Sequence, residues 1–207
     1  MIIAFSGTPI KGGNIEKGLE AICQAAGDCY ELVRLSEIDM AVCRACKGCV
    51  ETNRCVIEDD VNGLLEKIEG ADAILMSGYP SFGSVNALTK VFVERNWPLR
   101  HNRLLTKGKV SASVVCGSSA ALEVARWFET YMTGYLLTRY QGALVLEGNV
   151  PCLSCGYGES CQGSGFLSRN GPGAKIRPES FSDFSQSGQA RARAMEIGLA
   201  MREALAS

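Results

Sequence analysis

The chain has 207 residues, with 21 Lys and Arg set against 22 Asp and Glu, a single histidine and ten cysteines. Charges of both signs are interspersed and the formal net charge is −1, which excludes an extended basic nucleic-acid surface and an acidic tail. No apolar run is long enough for a signal-peptide core or a membrane span, so one cytoplasmic domain over residues 1–207 is expected, with small molecules or proteins as partners.

In chain order, short apolar runs alternate with helical spacing. The first run, IIAFS, leads into SGTPIKGGNIEKGLE, where Ile15, Leu19, Ile22 and Ala26 recur at helical spacing. Between strand and helix stand glycines together with Ser6, Thr8, Lys11, Gly13 and Asn14. Backbone N–H groups freed by such a turn, added to the positive end of the helix, form a site for a phosphate. A tight turn with a helix N-cap is the plainer reading. The spacing is neither G-x-G-x-x-G nor a Walker loop, so dinucleotide and P-loop nucleotide binding are not favoured.

The second run, YELVRL, precedes CRACKGCVETNRC, which carries Cys43, Cys46, Cys49 and Cys55 at C-x2-C-x2-C-x5-C spacing. In a reducing compartment such thiols point to metal or redox chemistry rather than a disulfide framework. Compact spacing lets a looping backbone aim several sulfurs at one point, which suits four-thiolate [4Fe–4S] ligation. Structural zinc commonly uses two separated C-x2-C knuckles and is the competing metal.

The third run, ADAILMS, is followed by GYPSFGSVNALTKVFVER, with Leu88, Val91, Phe92 and Arg95 at helical spacing. The fourth, VSASVV, is followed by CGSSAALE (residues 116–123) and by Leu122, Ala125, Phe128 and Met132. The fifth, ALVLEG at 143–148, leads into PCLSCGYGESCQGSG, a Gly/Cys-rich loop over 150–188 and a final helix over 189–206. Strand-helix alternation through the chain argues for an α/β doubly wound five-stranded parallel sheet, with ligands beyond the carboxyl ends of the strands. Cysteine-bearing insertions then follow strands two (39–58) and five.

Several residues have plain readings. Cys23 and Cys29 are expected as small buried hydrophobes. His101 reads as a solvated loop residue, and Trp97 and Trp127 as core or interface residues. With one histidine, a Ser-His-Asp hydrolase is poorly supported.

The stretch SGTPIKGGNIEKGL resembles the phosphate loop of the flavodoxin-like NADPH-dependent FMN reductases, usually GSPRK-x-GNT before a helix. Ser6, Thr8, Lys11, Gly13 and Asn14 match or closely replace that pattern, whereas Ile15 stands where the family commonly has a hydroxyl residue. Tyr79, Pro80, Ser81, Phe82, Gly83 and Ser84 resemble the family's PVYFG-S-V-S segment, which lies against the ribityl chain and isoalloxazine ring. After strand four only Gly117 and Glu123 keep the family's glycine-rich pattern, beside Cys116.

CRACKGCVETNRC, with Glu58-Asp59-Asp60 after it, resembles the motif of the iron-sulfur flavoprotein branch of that family. The resemblance implies FMN and a [4Fe–4S] cluster on Cys43, Cys46, Cys49 and Cys55. The flavodoxin-like strand order would also bring Cys116 toward Cys152, so Cys116, Cys152, Cys155 and Cys161 form a possible second cluster; a Cys152–Cys155 redox disulfide competes. The branch further implies a ferredoxin-type electron donor, a small electron acceptor and assembly as a homodimer or homotetramer. Two alternatives stay open: an NAD(P)H-dependent FMN or quinone reductase without a cluster, and a non-flavin cysteine-rich metal-binding or redox-sensing module.

Overall fold

The computed structural model describes residues 1–27, 29–118 and 120–207. In chain order the elements are β1 (Ile2–Ser6), α1 (Asn14–Ala26), β2 (Tyr30–Arg34), α2 (Val61–Gly70), β3 (Ala73–Gly78), β4 (Pro80–Ser81), β5 (Ser84–Val85) and α3 (Ala87–Glu94). There follow β6 (Val110–Gly117), α4 (Ala121–Thr130) with a π-turn over Tyr131–Tyr135, β7 (Arg139–Glu147), α5 (Gly165–Asn170) and α6 (Gly188–Ala206).

Five strands form a parallel sheet in the order β2-β1-β3-β6-β7, the doubly wound arrangement of flavodoxin-like folds. The central strands β1 and β3 are buried along their whole length because helices cover both faces. Alternation along β1 divides the core. Ile3 and Phe5 join Leu64, Leu65 and Ile68 of α2, Phe92 of α3 and Phe128 of α4. Ile2 and Ala4 face the opposite layer, where Ile15, Leu19 and Ile22 of α1 meet Ala194, Ile197 and Met201 of α6.

Three features depart from the expected pattern. The segment after β3 adds a two-stranded β4–β5 hairpin. β7 starts at Arg139 rather than at residue 143, because the polar residues there find hydroxyl partners on β6: Ser111 Oγ meets Oγ1 of Thr138, just before the strand, and Ser113 Oγ meets Tyr140 OH within it, each at 2.6 Å. α4 buries Ala121, Val124, Ala125 and Phe128, which leaves Leu122 in solvent. Among the described residues no helix is long and apolar enough to cross a membrane.

Candidate functional site

Residues 7–13 turn the chain between β1 and α1 at the carboxyl end of the sheet. Gly7 is clamped there: its N–H donates to Ser77 Oγ (3.0 Å), and Asn86 Nδ2 donates to its carbonyl (2.8 Å). A Cβ at Gly7 would lie 2.1 Å from Thr89 Oγ1 and 2.2 Å from the Ser77 carbonyl, closer than any side chain tolerates. Ser77, Asn86 and Thr89 therefore fasten the first loop to the third-strand loop. Sequence reasoning missed all three, and their only signal was polar character in apolar elements.

The other residues expected in this loop have separate tasks. Thr8 is buried and accepts the Ile10 N–H at 3.2 Å. Lys11 is exposed and pairs with Glu37. Gly13 accepts the Lys17 N–H at 3.0 Å in the first turn of α1. Asn14 reaches the chain's later part, donating to the Ser182 carbonyl (2.9 Å) and accepting the Phe184 N–H (3.0 Å). Ile15 packs in the core beneath the loop rather than facing it. Glu16, not foreseen as part of the site, accepts the Gly12 N–H at 2.8 Å and Arg34 at 2.8 and 3.1 Å. Burial pushes the Glu16 pKa up, but the Arg34 guanidinium and the Gly12 N–H hold it below its ordinary value. Ser6 Oγ is buried without a hydrogen-bond partner among the described residues. An orphaned hydroxyl beside a helix N-terminus is what a bound phosphate would satisfy.

Residues 80–85 form the β4–β5 hairpin, with Ser81 and Ser84 as one facing pair and Pro80 and Val85 as the other. Phe82 and Gly83 both have positive φ, 47° and 78°, as a tight two-residue turn with right-handed twist demands. The Phe82 ring is fully exposed. Tyr79 and Pro80 are half-buried; the Tyr79 N–H donates to Asn86 Oδ1 at 3.1 Å, and Pro80 packs on Gly117. Glu123 is exposed on the first turn of α4, and Ser119 of the same segment lies outside the described residues.

Cys43, Cys46, Cys49 and Cys55 line one cavity of about 280 Å³, which they share with Arg44, Lys47, Glu94, Arg95, Trp97 and His101. The loop turns sharply through Ala45 and Lys47, both at positive φ (50° and 61°), a local cost that turns successive peptides toward one side. Asn53, itself at φ 56°, is buried and donates to the carbonyls of Pro98 (2.5 Å), His101 and Arg103 (3.1 Å). Asn62 of α2 grips Cys55 from both sides, accepting its N–H at 2.9 Å and donating to its carbonyl at 2.8 Å. Desolvation raises the Cys49 pKa, and the neighbouring Cys55, Cys46 and Cys43 sulfurs raise it further.

Arg95, which caps α3, is 1% exposed. Its guanidinium holds Asp59 at 2.6 and 2.9 Å, the Ala41 carbonyl at 2.6 Å and Cys55 Sγ at 3.4 Å. The remaining donor, Nε–H, has no acceptor among the described residues. A cavity walled by four sulfurs with a spare buried N–H is suited to an anionic, sulfur-rich metal group. Trp97 stacks on His101 with centroids 5.3 Å apart and both line the cavity, His101 from a half-buried position in a loop and Trp97 with nearly half of its surface exposed. This cavity shares no lining residue with the 6–15 and 79–84 loops; α3, about 12 Å long at 1.5 Å per residue, runs between them.

The second cysteine group is more dispersed. β6 and β7 are neighbours as expected, and the Cys116 thiol donates to the Glu147 carbonyl at 3.5 Å. Burial pushes the Cys116 pKa up to about 11. Cys152 accepts the Gly165 N–H at 3.2 Å, and the Phe166 and Gly165 N–H groups lower its pKa. The Cys155 thiol points to the Cys152 carbonyl (3.6 Å) and accepts the Tyr157 N–H (3.4 Å), while Cys161 is exposed. Among the described residues, no three Cys, His, Asp or Glu side chains already stand in a metal-ligating arrangement, in either group. Cys23 is buried with its pKa pushed up to about 12, as a small core residue; Cys29 is exposed, contrary to expectation.

Iron-sulfur flavoproteins of Methanosarcina thermophila and Methanocaldococcus jannaschii are 34% and 33% identical over 121 and 122 residues, 57% of this chain in each case. Those alignments span 63% and 62% of the relatives' lengths. Among solved structures, RosB with a bound 8-demethyl-8-formylriboflavin-5'-phosphate intermediate superposes with a TM-score of 0.62 at 16% identity, covering 99% of this chain and 77% of that one. The Trp repressor binding protein from Bacillus subtilis gives 0.60 at 16% identity, with 95% and 97% covered, and these likenesses establish the fold. The family profile described as NADPH-dependent FMN reductase matches residues 1–138, from the first strand through α4 and its π-turn, and the chain belongs to that family.

Proposed function

We propose that this protein is an iron-sulfur flavoprotein oxidoreductase, with FMN at the loops of residues 6–15 and 79–84 and a [4Fe–4S] group on Cys43, Cys46, Cys49 and Cys55. The observation that carries the reading is the single cavity lined by all four cysteines and the buried Arg95, in a chain of this family. Names of the relatives support both groups. When bound, flavin exchanges one or two electrons and the cluster one at a time, which lets a ferredoxin-type donor or NAD(P)H serve a small acceptor.

The chain's own residues bind and orient. Ser6, Thr8 and the first-loop backbone N–H groups other than those of Gly7, Ile10 and Gly12, which already donate to Ser77, Thr8 and Glu16, are the phosphate donors, with the positive end of α1 behind them. The Ser77–Asn86–Thr89 fastening fixes that loop relative to Tyr79 and Pro80, so the phosphate end and the ring end of a flavin are set by one rigid unit. Asn53 and Asn62 hold the cysteine loop, and Trp97 with His101 shields one wall of its cavity.

The test is anaerobic purification, then iron, sulfide, zinc and flavin assays on one sample. Iron and sulfide in equal amounts with bound FMN are expected; iron and sulfide near zero after reconstitution, with stoichiometric zinc, would sink the reading. Replacing Cys46 with Ser lowers iron content, whereas Cys161→Ser does so only if Cys116, Cys152, Cys155 and Cys161 hold a second cluster. A cluster-free NAD(P)H-dependent FMN or quinone reductase is the second reading, favoured by the description of the matched family itself. It predicts rapid flavin bleaching by NAD(P)H in iron-free protein. Assembly as a homodimer or homotetramer belongs to the proposal and is supported by the aromatic groove between α3 and α4, lined by Trp97, Trp127, Tyr131 and Tyr135. Light scattering measures it.

A further inference from the structure

We propose that Arg95 is a positioning residue for the metal group on Cys43, Cys46, Cys49 and Cys55, closing the cysteine loop at both ends and setting the reduction potential through hydrogen bonds to sulfur. The inference rests on the [4Fe–4S] reading above. A guanidinium has five N–H donors in a fixed fork and keeps its charge when buried. Two donors hold Asp59, one holds the Ala41 carbonyl, one points at Cys55 Sγ, and Nε–H has no protein acceptor among the described residues.

An arginine that served only to neutralise Asp59 would need two of these donors. The other contacts fall at the two ends of the cysteine loop. Ala41 lies two residues before Cys43, and its N–H is also held by Asp59 at 3.0 Å; Cys55 is the last of the four cysteines. One buried ion pair thereby joins the start of the loop, its end and the N-terminus of α2, where Asp59 accepts the Val61 N–H at 3.1 Å. Arg95 itself lines the cavity. Hydrogen bonds to cluster sulfurs stabilise the more negative, reduced state and so raise the potential. A cluster sulfur would supply the acceptor that Nε–H lacks among the described residues.

The test compares full-length, reconstituted wild-type protein with Arg95→Lys and with the double variant Arg95→Leu/Asp59→Asn. The double variant removes both charges together, because a lone buried Asp59 would be destabilising by itself. EPR-monitored redox titration and resonance Raman spectra of the iron–sulfur bands are recorded alongside iron content. Expected is a loaded double variant whose midpoint falls by at least the equivalent of a tenfold change in relative affinity for the two oxidation states, about 59 mV for one electron. Arg95→Lys should retain iron with a smaller fall, since an ammonium cannot span Asp59, Ala41 and Cys55 at once. If the double variant does not fold, the lysine variant decides alone. An unchanged midpoint and unchanged Raman bands in a loaded variant would overturn the proposal while leaving the cluster reading intact. A wild-type chain that takes up no iron would overturn both.

Discussion

At the residue scale, the site depends on a few side chains that neither touch a ligand nor follow an obvious pattern. Gly7 must be glycine because the Ser77 carbonyl and Thr89 Oγ1 occupy the space of a Cβ. Gly7→Ala is expected to cost about 1–3 kcal/mol by overpacking, read from urea unfolding, and to weaken flavin binding by displacing the first loop. Glu16 gives a pH test. Its pKa is lower folded than unfolded, so its contribution is complete above about pH 4.3, the ordinary glutamate value, and is lost as pH falls through the folded value. Glu16→Gln should therefore flatten the acid limb of a stability–pH profile below that point; an unchanged limb would show that the Arg34 pairing contributes nothing there. Loop composition announced a ligand turn, but Glu16 and Ser77 had no such signal, since their partners are set by register between β1, β2 and β3.

The elements carry strain and close approach where the sequence shows only a loop or a helix. Phe82 sits at φ 47° at the tip of the β4–β5 hairpin, where a non-glycine residue is held in the left-handed region at a cost of about 1–2 kcal/mol. Asparagine tolerates that conformation better. Phe82→Asn is accordingly expected to stabilise the fold by up to about 1 kcal/mol while lowering affinity for FMN, measured by thermal melting and flavin titration. Equal affinity in the variant would argue that the exposed ring has no part in the flavin site. Helix α6 meets α1 at Gly198, where a Cβ would lie 2.5 Å from Ala25 Cβ and 2.6 Å from the Ile22 carbonyl. Gly198→Ala should separate the two helices and destabilise by about 1–3 kcal/mol in chemical denaturation. Periodicity located α1 and α6 within a residue or so, yet it could not reveal that they touch.

For the molecule as a whole, residues beyond the family match are part of the same core. Met201 is fully buried among Ile22, Leu19 and Ile197, although the matched segment ends at residue 138. Met201→Ala is expected to cost about 2–5 kcal/mol, with one cooperative transition retained. Two transitions would instead mark α6 as a separate unit. The same tail returns to the ligand end of the sheet, where Asn149 and Asn14 grip Ser182 and Lys17 pairs with Asp183 at 2.8 Å. The start of α1 is thus braced by chain 166 to 170 residues away, a contact that no local pattern announces.

The sequence by itself determined the alternation of strands and helices, the five-stranded doubly wound sheet, and the dense cysteine loop after the second strand. Those follow from local periodicity and spacing, which act over a few residues. Only the tertiary structure decided that the cysteine cavity lies against the residues following α3, that Arg95 and Asp59 tie its loop shut, and that His101 and Trp97 form its wall. Each of these depends on the packing of α2 and α3 on one face of the sheet, which brings residues 36 to 50 positions apart within hydrogen-bonding distance.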